Sequence, residues 1–297
     1  MKCDLCPRKC LVDRKKGEKG ICGQTENLKV ARAALHFWEE PCISGDAGSG
    51  AVFFSGCPLH CVFCQNENIA NGTVGKEISL ERLVDIFLEL QEKGANNINL
   101  VTPGHFVPQI VKALDQARRE GLTLPVVYNT SSYETVDTIK MLDGYVDIYL
   151  PDFKYMSPVL SKKYSHAPDY AEVAKAAIAE MVRQTGKAVF VNGDEDNLIL
   201  RGTIVRHLTL PGCMADSMQI LKYLHDTYGD KIYISIMNQF TPLSNLEKYP
   251  ELNRRITDEE YETLVDYAID IGIENGFIQE GDTAEESFIP AFDCEGV

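Results

Sequence analysis

The sequence predicts an α/β fold, a mostly parallel sheet wound as an open or partial barrel of six βα units. Two observations predict it. Short apolar runs alternate with amphipathic segments from Ala51 onward, the pattern of strands joined by crossover helices. Polar, chemistry-bearing motifs follow the ends of those runs, where βα loops collect ligands in parallel sheets. A doubly wound open sheet is the alternative arrangement of the same units.

The six strand candidates are Ala51–Ser55, Asn97–Val101, Pro125–Tyr128, Val146–Leu150, Ile204–Leu210 and Ile232–Ile236. Helices are expected between them. Ser79 is placed to cap a helix whose face carries Leu80, Leu83, Phe87 and Leu90 and which stops near Gly94. Ile110, Leu114 and Ala117 line the next, ended by Gly121. Asp169 with Glu172, and Thr257 with Glu260, have capping-box spacing. Lys187–Arg201 reads as a hairpin turning at Gly193-Asp194. Alternation along the fifth run puts Val205, His207 and Thr209 on one face and Arg206 and Leu208 on the other. Inside a barrel Arg206 needs an anionic partner, because an unpaired buried charge is costly.

With 44% hydrophobic residues in 297, the chain can supply a full-sized core. No stretch approaches the roughly 18 apolar residues of a membrane helix, and Met1-Lys2-Cys3-Asp4 lacks the apolar segment of an export signal. The expectation is a cytoplasmic protein without a membrane partner. Ten cysteines then point to metal binding rather than disulfides. The formal charge of −15 argues against a nucleic-acid or membrane-surface binder, since both partners are polyanions. An acidic enzyme acting on a small molecule or a protein fits better.

Cys57-Pro-Leu-His-Cys61-Val-Phe63-Cys64 gives a C-x₃-C-x₂-C spacing. Thiolates hold iron–sulfur clusters, and three ligands for a four-iron cubane leave one iron without a protein partner. A structural zinc is the competing reading, and the third thiol fits its paired spacings poorly. Upstream, Cys3, Cys6, Cys10 and Cys22 place four thiols in a short head with almost no apolar core of its own. Such a segment needs a staple, either zinc or a second iron–sulfur cluster serving as an electron relay. Arg14, Lys15, Lys16 and Lys19 form a basic run beside them, expected to be a solvated face. Residues 1–50 are expected to be this extension and a connector, and 51–297 the barrel.

The cysteine loop resembles that of the radical S-adenosylmethionine (SAM) superfamily. Further segments are similar to its PflX-like group, related to glycyl-radical-enzyme activating proteins such as the pyruvate formate-lyase activases: Cys6-Pro-Arg-Lys-Cys10, Leu35-His-Phe-Trp-Glu-Glu-Pro41, Phe54-Ser-Gly-Cys57 to Gln65-Asn66, Val101-Thr-Pro-Gly-His105 and Val205-Arg-His-Leu208. The resemblance implies a (β/α)₆ partial TIM barrel and a [4Fe–4S] cluster on Cys57, Cys61 and Cys64. It also implies SAM chelating the fourth iron, and one-electron cleavage to a 5′-deoxyadenosyl radical that abstracts hydrogen.

Around SAM the resemblance implies roles for Phe63 and Gln65 beside the cluster, and for Thr102 and Gly104 where relatives carry Gly-Gly-Glu. This chain lacks that glutamate. Asp152-Phe-Lys154 is similar to an Asp-x-Lys segment used beside SAM. There a lysine pairs with the methionine carboxylate, and an aspartate orients it or holds a monovalent cation. Asn129 adds oxygen at the neighbouring strand end, Arg206 has either the SAM carboxylate or a nearby acid as partner, and Gln239 carries an amide able to read adenine. His105 is expected to be structural or solvent-exposed, and Cys213 an inert thiol rather than a hydrogen donor. The implied partners are a small reductant of flavodoxin or ferredoxin type and a glycyl-radical enzyme. The alternative functions are an iron–sulfur electron-transfer or metal-binding protein without SAM cleavage, and a zinc-ribbon interaction module.

Overall fold

The structure is a computed structural model and describes residues 2–195, 197–242, 246–279 and 290–297. Its ten strands are β1 Leu28–His36, β2 Ser49–Phe54, β3 Lys76–Ile78, β4 Ile98–Val101, β5 Val126–Thr130, β6 Ile148–Pro151, β7 Val189–Phe190, β8 Ile199–Leu208, β9 Tyr233–Met237 and β10 Gly276–Ile278. They lie in the order β10-β9-β8-β6-β5-β4-β2-β1-β3, with β7 pairing β8. From β2 across to β10 every neighbour on this path is parallel. β1 and β3 add an antiparallel edge. The two ends of the order do not meet, so the sheet is an unclosed barrel.

All six strand candidates are strands, with ends shifted by a few residues. The predicted hairpin forms, Val189 facing Arg201 and Phe190 facing Ile199. β1 is the addition. It lies within the segment 28–50 expected as a connector and pairs along β2 from Val30–Phe54 to His36–Ser49.

The helices are α1 Pro41–Ser44, α2 Glu67–Ala70, α3 Leu80–Glu92, α4 Val107–Arg119, α5 Val136–Lys140, α6 Pro158–Ser165, α7 Tyr170–Thr185, α8 Met214–Tyr228 and α9 Asp258–Asp270, and those from α3 onward pack over the outer face. Ser79 caps α3 by accepting from the Arg82 amide, and Thr257 with Glu260 forms a full capping box on α9. The box expected at Asp169 is absent, because Asp169 accepts from the Tyr133 hydroxyl at 2.9 Å and makes no cap bond. α1 is not on the outside. Its Cys42 and Ile43 pack with Val127, Ile148, Ile204 and Tyr233, residues on the inward face of their strands. The segment after β1 therefore plugs the barrel from below.

Strand periodicity of two sets the layers. Val126, Tyr128, Tyr149, Val205, Ile234 and Ile236 point outward into the main core beneath the helices. Asn99, Asn129, Arg206 and Ser235 point inward, above the apolar plug. His207 faces outward as alternation predicts, between the Phe153 carbonyl at 2.8 Å and the Ser217 hydroxyl at 2.9 Å. Among the described residues no helix is long and apolar enough to cross a membrane.

Candidate functional site

A cavity of about 510 Å³ fills the barrel between the cysteine loop above and the residues following β1 below. The loop leaves β2 through Gly56, whose φ of +94° suits glycine. It then presents Cys57, Cys61 and Cys64 to the cavity wall. Backbone and side-chain donors already point at the sulfurs. The Leu59 amide is 3.5 Å from Cys57 Sγ, and the Ser165 hydroxyl, at the end of α6, is 3.0 Å from Cys61 Sγ. Tyr155 Oη in turn lies 2.8 Å from Ser165 Oγ. Burial raises all three thiols, Cys61 to about 11 and Cys64 to about 12.

This donor set fits an iron–sulfur cluster. The three sulfurs share one wall and receive hydrogen bonds of the kind that tune cluster thiolates. Among the described residues no three His, Cys, Asp or Glu side chains converge as one metal ion requires. Cluster thiolates bind different irons, so they stand further apart than the ligands of a single tetrahedral ion.

The other predicted residues divide. Phe63, Gln65, Thr102, Asn129, Asp152, Lys154, Arg206 and Gln239 all line the cavity. Phe63 is buried edge-on between Tyr155 and Phe240, with ring centroids 6.4 and 6.0 Å away. Gln65 donates to the Gln239 carbonyl at 2.9 Å, which ties the cysteine loop to the end of β9. Lys154 Nζ sits 2.6 Å from Asp152 Oδ2. Burial opposes its charge, yet Asp152 and the Cys61 thiol hold its pKa above the ordinary lysine value.

Thr102 has φ +55°, a conformation that costs a β-branched residue energy. Its amide bond to the Asn129 carbonyl at 2.9 Å keeps it there. Gly104 is not on the cavity wall. It packs against the Glu134 carboxylate, which a Cβ at 104 would strike. Glu134 thus brings a carboxylate to the turn where relatives carry Gly-Gly-Glu, but from the helix side. There it accepts from Thr130 Oγ1 at 2.8 Å and Tyr128 Oη at 3.1 Å, and burial raises it to about 7.

Arg206 takes the acid partner of its two expected alternatives. Its guanidinium binds Glu40 through Nε at 2.9 Å and Nη2 at 2.7 Å, and Nη2 also binds Glu39. Burial would raise the Glu40 carboxyl, but Arg206 overrides it and holds it below the usual range. Glu39 also accepts from Asn99 at 2.9 Å and Asn129 at 3.3 Å. The cavity floor is therefore a closed ionic network, and Arg206 is not free for SAM. Sequence reasoning gave Glu39 and Glu40 no role. The available signal was an acidic pair directly before Pro41 in an apolar stretch.

Three further expectations concern residues off the cavity wall. Arg14, expected on a solvated face, is 7% exposed, while Lys15, Lys16 and Lys19 are exposed. His105 is buried and structural, its Nε2 donating to the Ser55 carbonyl at 2.7 Å. Cys213 does not reach the main cavity; it sits at the foot of α8 with its thiol pushed up by burial to about 11.

Residues 51–197, which carry the cysteine loop and strands β2 to β7, match the Radical SAM superfamily as a radical SAM domain. The chain is 27% identical over 273 residues to an uncharacterized protein, MJ0674, of Methanocaldococcus jannaschii, covering 90% of this chain and 74% of that one. Among solved structures it is similar to SuiB of Streptococcus suis bound to S-adenosylmethionine, with a TM-score of 0.52, 13% identity, and coverage of 76% and 48% of the two chains. It is also similar to HydG, a maturase of the [FeFe]-hydrogenase, with a TM-score of 0.51, 15% identity, and coverage of 78% and 52%. The chain thus spans about half the length of these two structures, and at such identity the likeness is one of fold.

Proposed function

We propose that this protein is a radical SAM enzyme of the activating type, one that takes a hydrogen atom from a small group presented by a partner, such as a glycyl residue. The observation that carries the reading is the convergence on one cavity of the three loop thiols and the partly buried Asp152–Lys154 pair. When bound, a [4Fe–4S] cluster and SAM would supply the low-potential electron and the hydrogen-abstracting group.

The chain's own residues supply binding, orientation and exclusion of water. Cys57, Cys61 and Cys64 would hold three irons and leave the fourth facing the cavity. Lys154 is the cation available for the methionine carboxylate, since Arg206 is engaged by Glu39 and Glu40. Asp152 fixes the Lys154 ammonium until that carboxylate arrives. The Thr102 hydroxyl and neighbouring carbonyls accept from an ammonium. Phe63 and Phe240 keep the region beneath the loop dry.

The activating-type assignment rests on the segment similarities. Phe37, half exposed at the cavity margin, gives a partner an apolar contact.

The test is release of 5′-deoxyadenosine from SAM by the reconstituted, reduced protein. The expected result is turnover that Cys61→Ala abolishes, and a glycyl radical EPR doublet on a co-incubated glycyl-radical enzyme. Absence of 5′-deoxyadenosine from protein carrying its cluster would favour an electron-transfer role. Nucleoside release without a doublet would place the target on a small molecule.

A further inference from the structure

We propose that Cys3, Cys6, Cys10 and Cys22 hold a second iron–sulfur cluster, closed by four thiolates and docked on the loop that carries the first. The head has little else to order it. Between residues 2 and 25 only Arg14, Cys22 and Gln24 are buried, yet the backbone is tightly turned. Cys3 and Val12 are bonded at 2.9 Å, Leu11 returns to Cys3 at 3.0 Å, and Lys9 and Leu11 take left-handed conformations. Turns of this cost persist where something bound holds them.

Two observations point to an anionic centre among the sulfurs. Gly20 lies between two of them. A Cβ there would meet Cys10 Sγ at 3.1 Å and Cys22 Sγ at 3.5 Å. The φ of Gly20 is not in the left-handed region, so the glycine is required for space rather than for conformation. Arg14 is the second. Its buried guanidinium donates to the neutral Thr25 carbonyl at 2.9 Å and the His105 carbonyl at 2.5 Å, and Nη1 lies 4.0 Å from Cys3 Sγ. No carboxylate among the described residues pairs with it. A buried cation lacking a carboxylate needs another counter-ion, and a tetrathiolate centre carries the right sign.

Position favours a cluster over zinc, because a head seated against the loop that carries the first cluster has an electron to pass only if its own metal is redox-active. With all four irons ligated, the centre has no open position and can only pass electrons. Its placement gives the direction. His60 of the cluster loop donates to the Ile21 carbonyl at 2.8 Å, and Arg8 binds the Pro58 carbonyl at 2.8 Å. One electron from a flavodoxin- or ferredoxin-type carrier would reduce the head cluster, which is reoxidised as it passes that electron to the loop cluster; no bond is made or broken. This relay step rests on the radical SAM reading, whereas the metal site does not.

The experiment is iron and sulfide analysis of the Cys57→Ala/Cys61→Ala/Cys64→Ala variant after anaerobic reconstitution, with EPR after dithionite. The expected result is roughly four irons and four sulfides per chain and a reduced-cluster signal that SAM leaves unchanged. Metal-free protein, or one zinc without iron, overturns the proposal. The complementary Cys3→Ala/Cys6→Ala/Cys10→Ala/Cys22→Ala variant should keep about half of the wild-type iron, and wild-type iron content there overturns it equally. Loss of all iron in that variant, with the first retaining its iron, would count against the loop cluster instead.

Discussion

At Arg206 one guanidinium is held between two buried carboxylates, Glu39 and Glu40. Removing the cation strands both. Arg206→Met should therefore cost about 3–5 kcal/mol in urea denaturation, while Arg206→Met combined with Glu39→Gln and Glu40→Gln should recover most of it. A merely local packing effect would leave the triple variant as unstable as the single one. Thr102 stores strain of a different kind. Thr102→Gly should gain about 1 kcal/mol of stability and weaken SAM binding, because the hydroxyl on the cavity wall is lost; calorimetry of both quantities checks the pair.

Two buried groups set opposite pH limits. Burial lowers His207 to about 4, so its contribution is complete above the unfolded value near 6.5 and is lost as pH falls through 4. Burial raises Glu134 to about 7; its contribution is complete below the ordinary carboxyl value and is lost as pH rises through 7. Each spans on the order of 3 kcal/mol. Glu134→Gln should remove the decline of stability that runs from the ordinary carboxyl value of 4.5 up to about 7, as read from urea midpoints across that range, and leave the slope above it unchanged.

At the scale of elements, the six strand runs were legible because each is apolar and bounded by turn residues. β1 was not. Its sequence, Leu-Lys-Val-Ala-Arg-Ala-Ala-Leu-His, is alanine-rich and shows no clean alternation, since Leu28, Val30 and Ala33 join the main core while Ala31 on the other face packs in the cluster that Phe292 covers. Asp152 and Lys154 were legible through the resemblance of Asp152-Phe-Lys154 to an Asp-x-Lys segment, and the structure brings them to the cavity beside the cysteine loop. Ser165 was not, because its contact with Cys61 spans 104 residues. Hydrogen bonds to cluster sulfurs stabilise the more negative reduced form, so Ser165→Ala should lower the reduction potential of the loop cluster in a redox titration; an unchanged potential would remove Ser165 from its tuning.

At the scale of the whole molecule, what the sequence hides is long-range pairing. The partner of Arg206 lies 166 residues away, and the plug that supplies it enters the barrel from the end opposite the cysteines. Burial of Arg14 depends likewise on His105, 91 residues distant. Local pattern shows that a buried charge must be paired; only the fold shows with what. In this molecule the floor of the cavity neutralises its own arginine, the head docks on the loop, and Lys154 lines the cavity paired with Asp152.

The central claim is that the loop's three thiols leave one iron facing the cavity for SAM. Electron–nuclear double resonance on the reduced, reconstituted protein with SAM labelled by ¹⁵N at its amino group tests this most directly. The account predicts a nitrogen coupling at the cluster that Lys154→Met weakens by lowering occupancy. Bound SAM with no coupling to the cluster would contradict it.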